Sequence, residues 1–409
     1  MPRLKPRPAL IHVAIACGGT GGHLFPGLAV AEEILLRGGG VTLLISSKEV
    51  DRRAAGAAPG MEVITLPAVG LTRGRLGAFL RGFWQSWRAS QSLFRSRPHQ
   101  AVLAMGGFTA APPVLAGRVC GAVTFLHESN TIPGRANRFL SWFVDQPFVG
   151  FSQAAARLHH QKVVVTGTPV RPQFQPGSPA SARVALGLEA ARPVLLVMGG
   201  SQGASGVNDL VLQALPNLVG LSPDLQFLHL TGPNDFEKVR AAYAAAKAKA
   251  VVREFLTEME LAMSAATLAV SRSGASSLAE IAAMRLPTVL IPYPHAADDH
   301  QFHNARAFVQ GGAARMLHRS QATAQNLTQL VADLLRKSEE RQRISEALGA
   351  WHTPDAAAQM AEAILRAVAV QGGAAPAAAA RQNPDQAQRG AEAIVPARPV
   401  GRASRPSLS

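Results

Sequence analysis

Short apolar runs alternate along this 409-residue chain with amphipathic stretches, and turns rich in Gly, Ser or Pro stand between them. The apolar runs fall at residues 10–16, 41–46, 63–66, 101–104, 123–126 and 163–165, and again at 194–197, 226–230, 251–252, 267–270 and 288–291. Such runs, bounded by turns, predict strands buried on both faces of a parallel sheet, with crossover helices between them. The chain is therefore expected to be an α/β protein made of βαβ units.

The βαβ pattern starts twice, which indicates two domains. Residues 10–36 and 194–204 each predict a strand and a Gly-rich loop that leads into a helix. Two doubly wound, Rossmann-like parallel-sheet domains are therefore expected. The Pro-rich connection at 172–179 places the domain boundary, so that the domains span residues 1–171 and 172–370. Residues 371–409 consist mainly of Ala, Pro, Gln, Arg and Gly without periodicity, and they predict a disordered tail.

The segment 271–304 has the clearest signs of a binding site. A Gly/Ser loop separates the strand at 267–270 from a helix that begins near Ala275, and Ser276 and Ser277 are predicted to cap that helix. The N–H groups and the positive dipole end of such a helix favour a diphosphate. Glu280, one turn further on, could accept both hydroxyls of a ribose. The alternative is an ordinary helix cap beside a solvated Glu.

The first Gly-rich loop, CGGTGGH, ends in His23 and precedes a helix predicted at 28–36. It is not a phosphate-binding P-loop, because His23 and Leu24 stand where Lys and Ser or Thr are needed. It is not the dinucleotide fingerprint either, because Leu24 occupies the position of the third Gly. We expect a loop that a ligand can approach closely, with His23 as a general base; the alternative is a turn with a surface His.

Polar residues also follow the strand at 123–126 directly, in the order His127, Glu128, Ser129 and Asn130. In open α/β sheets ligands bind at the carboxyl ends of the strands, so this tetrapeptide is predicted to lie at the site.

The two cysteines, Cys17 and Cys120, are spaced neither for a metal site nor for a disulfide framework. Both are expected to be buried thiols in a reducing compartment, and no signal peptide or spanning segment is recognised.

The net charge of +15 is unevenly distributed. Residues 1–171 carry +12, residues 172–370 carry none, and residues 371–409 carry +3. Residues 71–97 hold six Arg and no acid. The same stretch has apolar residues at helical spacing: Leu76, Phe79, Leu80, Phe83, Trp84 and Trp87. A basic amphipathic helix rich in aromatic residues predicts contact with an anionic membrane surface. The alternative is a core helix with a solvated basic face.

Six motifs in order carry a resemblance to a known family: CGGTGGHLFPGLAVA, MGGFTAAPP, HESNTIPGRAN, TGTPVR, MGGSQGA, and SRSGASSLAEIAA followed by LPTVLIPYPHAADDHQFHN. Together they span about residues 10–365 and resemble the MurG family of bacterial glycosyltransferases. The resemblance implies the GT-B fold, in which two Rossmann-like domains face a central cleft. It assigns the acceptor and the membrane to the N-terminal domain and UDP-GlcNAc to the C-terminal domain, with the last helix packed back on the N-terminal domain.

The resemblance also implies the residues of the site. Uracil would meet the backbone at Leu256, ribose would meet Glu280, and the sugar hydroxyls would reach Gln301 and Asn304. The substrate-binding residues implied in full are Thr20, Gly21, Gly22, Asn130, Arg171, Ser201, Leu256, Ser273, Gly274, Ala275, Ser276, Ser277, Leu278, Ala279, Glu280, Gln301 and Asn304. Arg285 stands where many relatives carry Gly, so the exit of that helix is expected to be strained.

The implied reaction adds GlcNAc from UDP-GlcNAc to lipid I and inverts the anomeric centre. Its base would be His23, with Glu128 as the second candidate. There is no Asp-x-Asp sequence, so neither a metal nor another cofactor is expected. The implied location is peripheral, on the cytoplasmic side of the bacterial inner membrane, among the proteins of cell-wall synthesis and division. The alternatives are another GT-B enzyme, either a glycolipid glycosyltransferase or a UDP-GlcNAc 2-epimerase, and a basic nucleic-acid-binding protein.

Overall fold

The structure is a computed structural model that describes residues 10–19, 21–47, 60–67, 76–107, 109–200, 203–294 and 296–372. Three predictions lie outside these residues: Thr20, Ser201, and the tail from residue 373 onwards. No helix among the described residues is long and apolar enough to cross a membrane.

The N-terminal half forms a parallel sheet of seven strands in the order β3-β2-β1-β4-β5-β6-β7. Its strands are β1 (His12–Ala16), β2 (Gly40–Ser46), β3 (Glu62–Leu66), β4 (Ala101–Ala104), β5 (Val123–Glu128), β6 (Gln146–Val149) and β7 (Val164–Val165). Its helices are α1 (Gly21–Leu36), α2 (Leu76–Ser96), α3 (Ala111–Val119), α4 (Arg135–Leu140) and α5 (Ser152–Ala155).

The C-terminal half forms a second parallel sheet, of six strands in the order β10-β9-β8-β11-β12-β13. Its strands are β8 (Val194–Met198), β9 (Gln226–Leu230), β10 (Ala250–Arg253), β11 (Leu268–Ser271), β12 (Thr288–Leu290) and β13 (Arg315–Met316). Its helices are α6 (Pro179–Ala185), α7 (Ser205–Leu221), α8 (Phe236–Ala245), α9 (Met259–Ala265), α10 (Ala275–Ala283), α11 (His300–Gln310), α12 (Ala324–Arg336) and α13 (Ser338–Gly349), followed by α14 (Ala356–Gln371).

The last helix, α14, packs against the first sheet although it follows the second one in sequence. Its residues at helical spacing, Ala357, Met360, Ala361 and Ile364, share a buried cluster with residues of β1 and α1. An apolar stripe at this spacing must be buried against a partner, and the first sheet provides it. The chain therefore crosses between its halves twice, once near residue 171 and once before α14.

The predicted fold class is confirmed, because both sheets are parallel and have a Rossmann-like order with helices between the strands.

The predicted start of the first helix was wrong: α1 begins at Gly21, not near residue 28. A Gly pair and Pro26 disfavour a helix, but Leu24 is fully buried and Pro26 lies in the second turn, so tertiary packing overrides propensity. The prediction for Cys120 was also wrong, because this residue is exposed while Cys17 is buried.

Candidate active site

The carboxyl ends of both sheets border one large cleft with a volume of about 1890 Å³. Ligand pockets usually measure about 300–1,000 Å³, so this cleft has room for two substrates. Residues from the first turn of α1 and from the loop after β5 line one side of it. Residues from the start of α10 and from the loop after β10 line the other side.

The first turn of α10 faces the cleft. Gly274 is the N-cap and no side chain caps the helix, so the predicted capping by Ser276 and Ser277 was wrong. Gly274, Ala275, Ser276 and Ser277 all line the cleft, where their N–H groups and the helix dipole can hold an anion. Two further predicted residues of this segment face elsewhere: Leu278 is fully buried in the core, and Ala279 borders a separate small pocket.

Glu280 lies on the same helix and lines the cleft one turn further on. Burial raises its pKa from 4.5 to about 7; the nearby guanidinium of Arg171 opposes this rise, and the carboxylate of Glu260 adds to it. A carboxyl group with such a pKa exchanges its proton near neutral pH. It can therefore change from a neutral group to a charged acceptor when a ligand with hydroxyl donors arrives.

Arg171 lies where the chain first passes between the two halves, and it lines the cleft. Its guanidinium stacks on Phe25 of α1 at 4.8 Å and on Phe174 at 5.2 Å. Its buried Nε has no hydrogen-bond partner among the described residues. Glu32 of α1 also lines the cleft; burial raises its pKa, and Arg171 opposes that rise. Arg171 is thus a cation at the cleft whose orientation is set by the two aromatic rings beside it.

Arg272 is a cleft residue to which the sequence motifs assigned no role. It precedes α10, stacks on Tyr293 at 4.5 Å and lines the cleft beside Gly274. Burial lowers the pKa of its guanidinium, which nevertheless remains charged near neutrality. The sequence does contain a signal for Arg272, namely its position in the loop between β11 and α10, because a cation in that loop lies next to the helix N-terminus.

On the opposite side, His23 lies in the first turn of α1 and lines the cleft. Its imidazole packs against the backbone of Gly106 and Gly107, which both have positive φ, at +111° and +79°. A Cβ on Gly106 would lie 2.8 Å from Cε1 of His23, too close for any side chain. This contact explains the two Gly after β4 and fixes the position of His23.

Glu128 is buried at the end of β5 and accepts four hydrogen bonds. Its Oε1 accepts from the backbone N–H and from Nδ2 of Asn130, at 2.8 and 2.9 Å. Its Oε2 accepts from the N–H of Gly134 and from Nδ2 of Asn137, both at 2.9 Å. All four lone-pair directions of the carboxylate are therefore used to hold the loop 129–134. The neighbouring His127 is also buried, and this lowers its pKa to about 4.

Asn304 joins the two halves of the cleft. It is fully buried; its Oδ1 accepts from the N–H and the Oγ1 of Thr131, both at 2.9 Å. Its Nδ2 donates to Oδ1 of Asn130 at 3.0 Å and to the carbonyl of Ser273 at 3.2 Å. The structure thus brings together Asn130 and Asn304, which were both predicted to bind substrate. In this structure they bind each other, and the amide of Asn304 has no capacity left.

The remaining predicted residues divide into cleft residues and supporting ones. Gly21, Gly22, Leu256 and Gln301 line the cleft. Oε1 of Gln301 accepts from the N–H of Tyr293 at 3.0 Å, which leaves its amide NH₂ for a ligand. Ser273 is fully buried, and its hydroxyl donates to the carbonyl of Gln301 at 2.7 Å, so Ser273 supports the site. The strain expected at Arg285 is present, because its φ is +51°.

Helix α2 divides its predicted apolar face between core and surface. Phe83 and Trp87 pack against the buried cluster of the first sheet, so they are not free surface residues. Leu80 and Trp84 expose 56% and 50% of their surface, and Arg88 stacks on Trp84 at 5.1 Å. Phe79 is half-buried and lines the cleft. The structure does not describe the side chain of Leu76.

Comparisons with known proteins agree with this architecture. Residues 13–149 match the N-terminal domain of glycosyltransferase family 28, and residues 194–360 match its C-terminal domain. The chain is 36% identical over 377 residues to a UDP-N-acetylglucosamine–N-acetylmuramyl-(pentapeptide) pyrophosphoryl-undecaprenol N-acetylglucosamine transferase of Anaeromyxobacter dehalogenans (strain 2CP-C). The match covers 88% of this chain and 93% of that protein.

Two solved structures are also similar. The crystal structure of MurG from Acinetobacter baumannii superposes with a TM-score of 0.67 at 28% identity, covering 87% of this chain and 99% of that one. A UDP-N-acetylglucosamine 2-epimerase superposes with a TM-score of 0.66 at 13% identity over 90% of this chain and all of the other, which shows a shared fold alone. The chain therefore belongs to the MurG family of N-acetylglucosamine transferases, within glycosyltransferase family 28.

Proposed function

We propose that this protein transfers GlcNAc from UDP-GlcNAc to the 4-hydroxyl of the MurNAc residue of lipid I, undecaprenyl-pyrophosphoryl-MurNAc-pentapeptide, and so forms lipid II. The observation that carries the proposal is one cleft with two different walls. One wall offers a helix N-terminus and Glu280 for a sugar nucleotide, and the other offers His23 beside a rigidly held loop. The membership in the family is consistent with this division.

The donor binds along the wall of the C-terminal half. The first turn of α10 holds the diphosphate, and the guanidinium groups of Arg171 and Arg272 add positive charge. Glu280 loses its proton and accepts the ribose hydroxyls. The backbone at Leu256 meets the uracil, and the amide of Gln301 donates to the sugar.

The reaction is a single in-line displacement at the anomeric carbon. The acceptor oxygen forms the new bond as the bond to UDP breaks, and His23 takes the proton of the acceptor hydroxyl. Negative charge grows on the leaving diphosphate, where the N-terminus of α10 and the two Arg are already oriented. Glu128 is a positioning residue, because its four hydrogen bonds leave no lone pair for a substrate proton. It keeps the loop 129–134 in place beside His23.

The exposed part of α2 contacts the membrane that carries the acceptor. Leu80 and Trp84 supply apolar surface, and Arg81 and Arg88 supply charge for anionic lipid headgroups. We infer from this proposed contact that the enzyme is a peripheral protein on the cytoplasmic side of the inner membrane. A membrane surface also accounts for the positive charge of the N-terminal half without a nucleic-acid partner.

The test is incubation of the protein with radiolabelled UDP-GlcNAc, with and without lipid I. Label should move into the lipid phase only when both are present, and without lipid I the nucleotide sugar should be recovered unchanged. Conversion of UDP-GlcNAc to its 2-epimer without an acceptor would instead identify an epimerase. The absence of label in the lipid phase, with folded protein and both substrates, would refute the proposal.

A further inference from the structure

Apolar side chains from α2, from α4 and from the loop after β5 line the cleft. Phe79, Leu80 and Phe83 of α2 line it, as do Ile132 of the loop after β5 and Phe139 of α4. We call these five residues the apolar groove. They line the same cavity as His23, so a molecule bound at His23 can extend into the groove without leaving the protein surface.

The apolar groove opens to solvent. Leu80 and Phe139 line the cleft, yet each exposes half or more of its surface, at 56% and 50%. One aromatic pair lies on α2, where the ring centroids of Phe79 and Phe83 are 6.3 Å apart. A second pair joins α4 to the turn after it, where the centroids of Phe139 and Phe143 are 5.1 Å apart. Apolar surface that stays exposed in this way marks a binding site for an apolar partner.

Positive charge adjoins the apolar groove. Arg135 begins α4, lines the cleft, and precedes Phe139 by four residues, so the two side chains are neighbours on one helix face. Gly21 and Gly22, in the first turn of α1, line the same cavity. Neither α2 nor α4 contains an acidic residue. The site therefore suits a molecule in which an anionic group is joined directly to an apolar chain.

We propose that the apolar groove binds the first isoprene units of the acceptor's polyprenyl chain, with Arg135 at the phosphate that joins chain and head group. This inference rests on the proposed function and deepens it. The chain is then bound as part of the substrate, in addition to the membrane contact of α2; Leu80 belongs to both surfaces, whereas Trp84 does not line the cleft. The enzyme thereby distinguishes a prenyl-linked acceptor from the same head group without a chain.

The test compares acceptors that share the pyrophosphoryl-MurNAc-pentapeptide head group and carry one or four isoprene units, in buffer without detergent or vesicles. For the wild type, the acceptor KM should be at least about tenfold lower with four units than with one, because apolar surface is buried. Phe139→Ser should reduce this ratio to about threefold or less. Phe139→Leu, which keeps an apolar side chain, should restore most of it.

Trp142→Ser is the matched control. Trp142 follows α4, exposes 64% of its surface and does not line the cleft, so this variant should keep the wild-type ratio. The donor KM of every variant serves as a check on folding. Equal KM values for both acceptors in the wild type, or the same loss of ratio in Trp142→Ser and Phe139→Ser, would overturn the inference. A wild type that transfers GlcNAc to neither acceptor would instead refute the proposed function.

Discussion

Replacement of Glu280 by Gln should make the protein more stable and a poorer enzyme at alkaline pH. Burial raises the pKa of this carboxyl from 4.5 to about 7, so the folded state favours its neutral form. The contribution of the neutral carboxyl group to the free energy of unfolding is fully present below pH 4.5. It is lost as the pH rises through 7. One pKa unit corresponds to about 1.4 kcal/mol, so the ionised carboxylate lowers the free energy of unfolding by about 3 kcal/mol at pH 8.

Urea unfolding at pH 4.5 and at pH 8 measures this difference. Glu280→Gln and wild type should have about the same free energy of unfolding at pH 4.5, and the variant should be more stable by about 2–3 kcal/mol at pH 8. Glu33→Gln is the control, because Glu33 lies on α1 in a surface pair with Arg37. Loss of this ion pair should lower the free energy of unfolding by no more than about 1 kcal/mol at either pH.

Donor binding should change in the opposite direction. If the ribose hydroxyls need the ionised carboxylate, only about one molecule in ten is competent at pH 6, and the donor KM of the wild type should be about tenfold higher there than at pH 8. In Glu280→Gln the donor KM at pH 8 should rise by about ten- to a hundredfold and lose this pH dependence. A wild-type donor KM that is the same at pH 6 and pH 8 would contradict the reasoning.

Three further predictions follow from the cleft and from α2. His23→Ala should lower kcat by about 10²–10⁴ with little change in donor KM and should remove the acidic limb of the pH–kcat profile; persistence of that limb would exclude His23 as the base. Asn304→Leu removes the hydrogen bonds that join the two halves, so the free energy of unfolding in urea should fall by about 2–4 kcal/mol. Amide hydrogen exchange at Thr131 should become faster, and an unchanged exchange rate would contradict the role of Asn304. Leu80→Ser combined with Trp84→Ser should abolish vesicle binding at any salt concentration, whereas Val119→Ser on α3 should not; equal binding by both would assign α2 a structural role only.

Much of the fold was predictable from the spacing of apolar residues. Runs bounded by turns located most strands, since a strand buried on both faces of a parallel sheet needs a continuous apolar stretch. The strands that were missed have local reasons: β6 contains Pro147, and β13 has only two residues, one of which is the charged Arg315. The motifs located Glu280, His23 and the start of α10, because each lies at the junction of a strand and a helix, where turn residues leave a clear signal.

The sequence by itself determined the two parallel-sheet domains, the family, and the segments that border the cleft, because these depend on local order along the chain. Only the tertiary structure decided what each side chain does. It engages Glu128 with four donors, bonds Asn304 to Asn130 and Thr131, buries Ser273, and adds Arg272 to the site. Such roles depend on partners up to 174 residues away in the chain, and no local pattern encodes which hydrogen-bonding groups meet after folding.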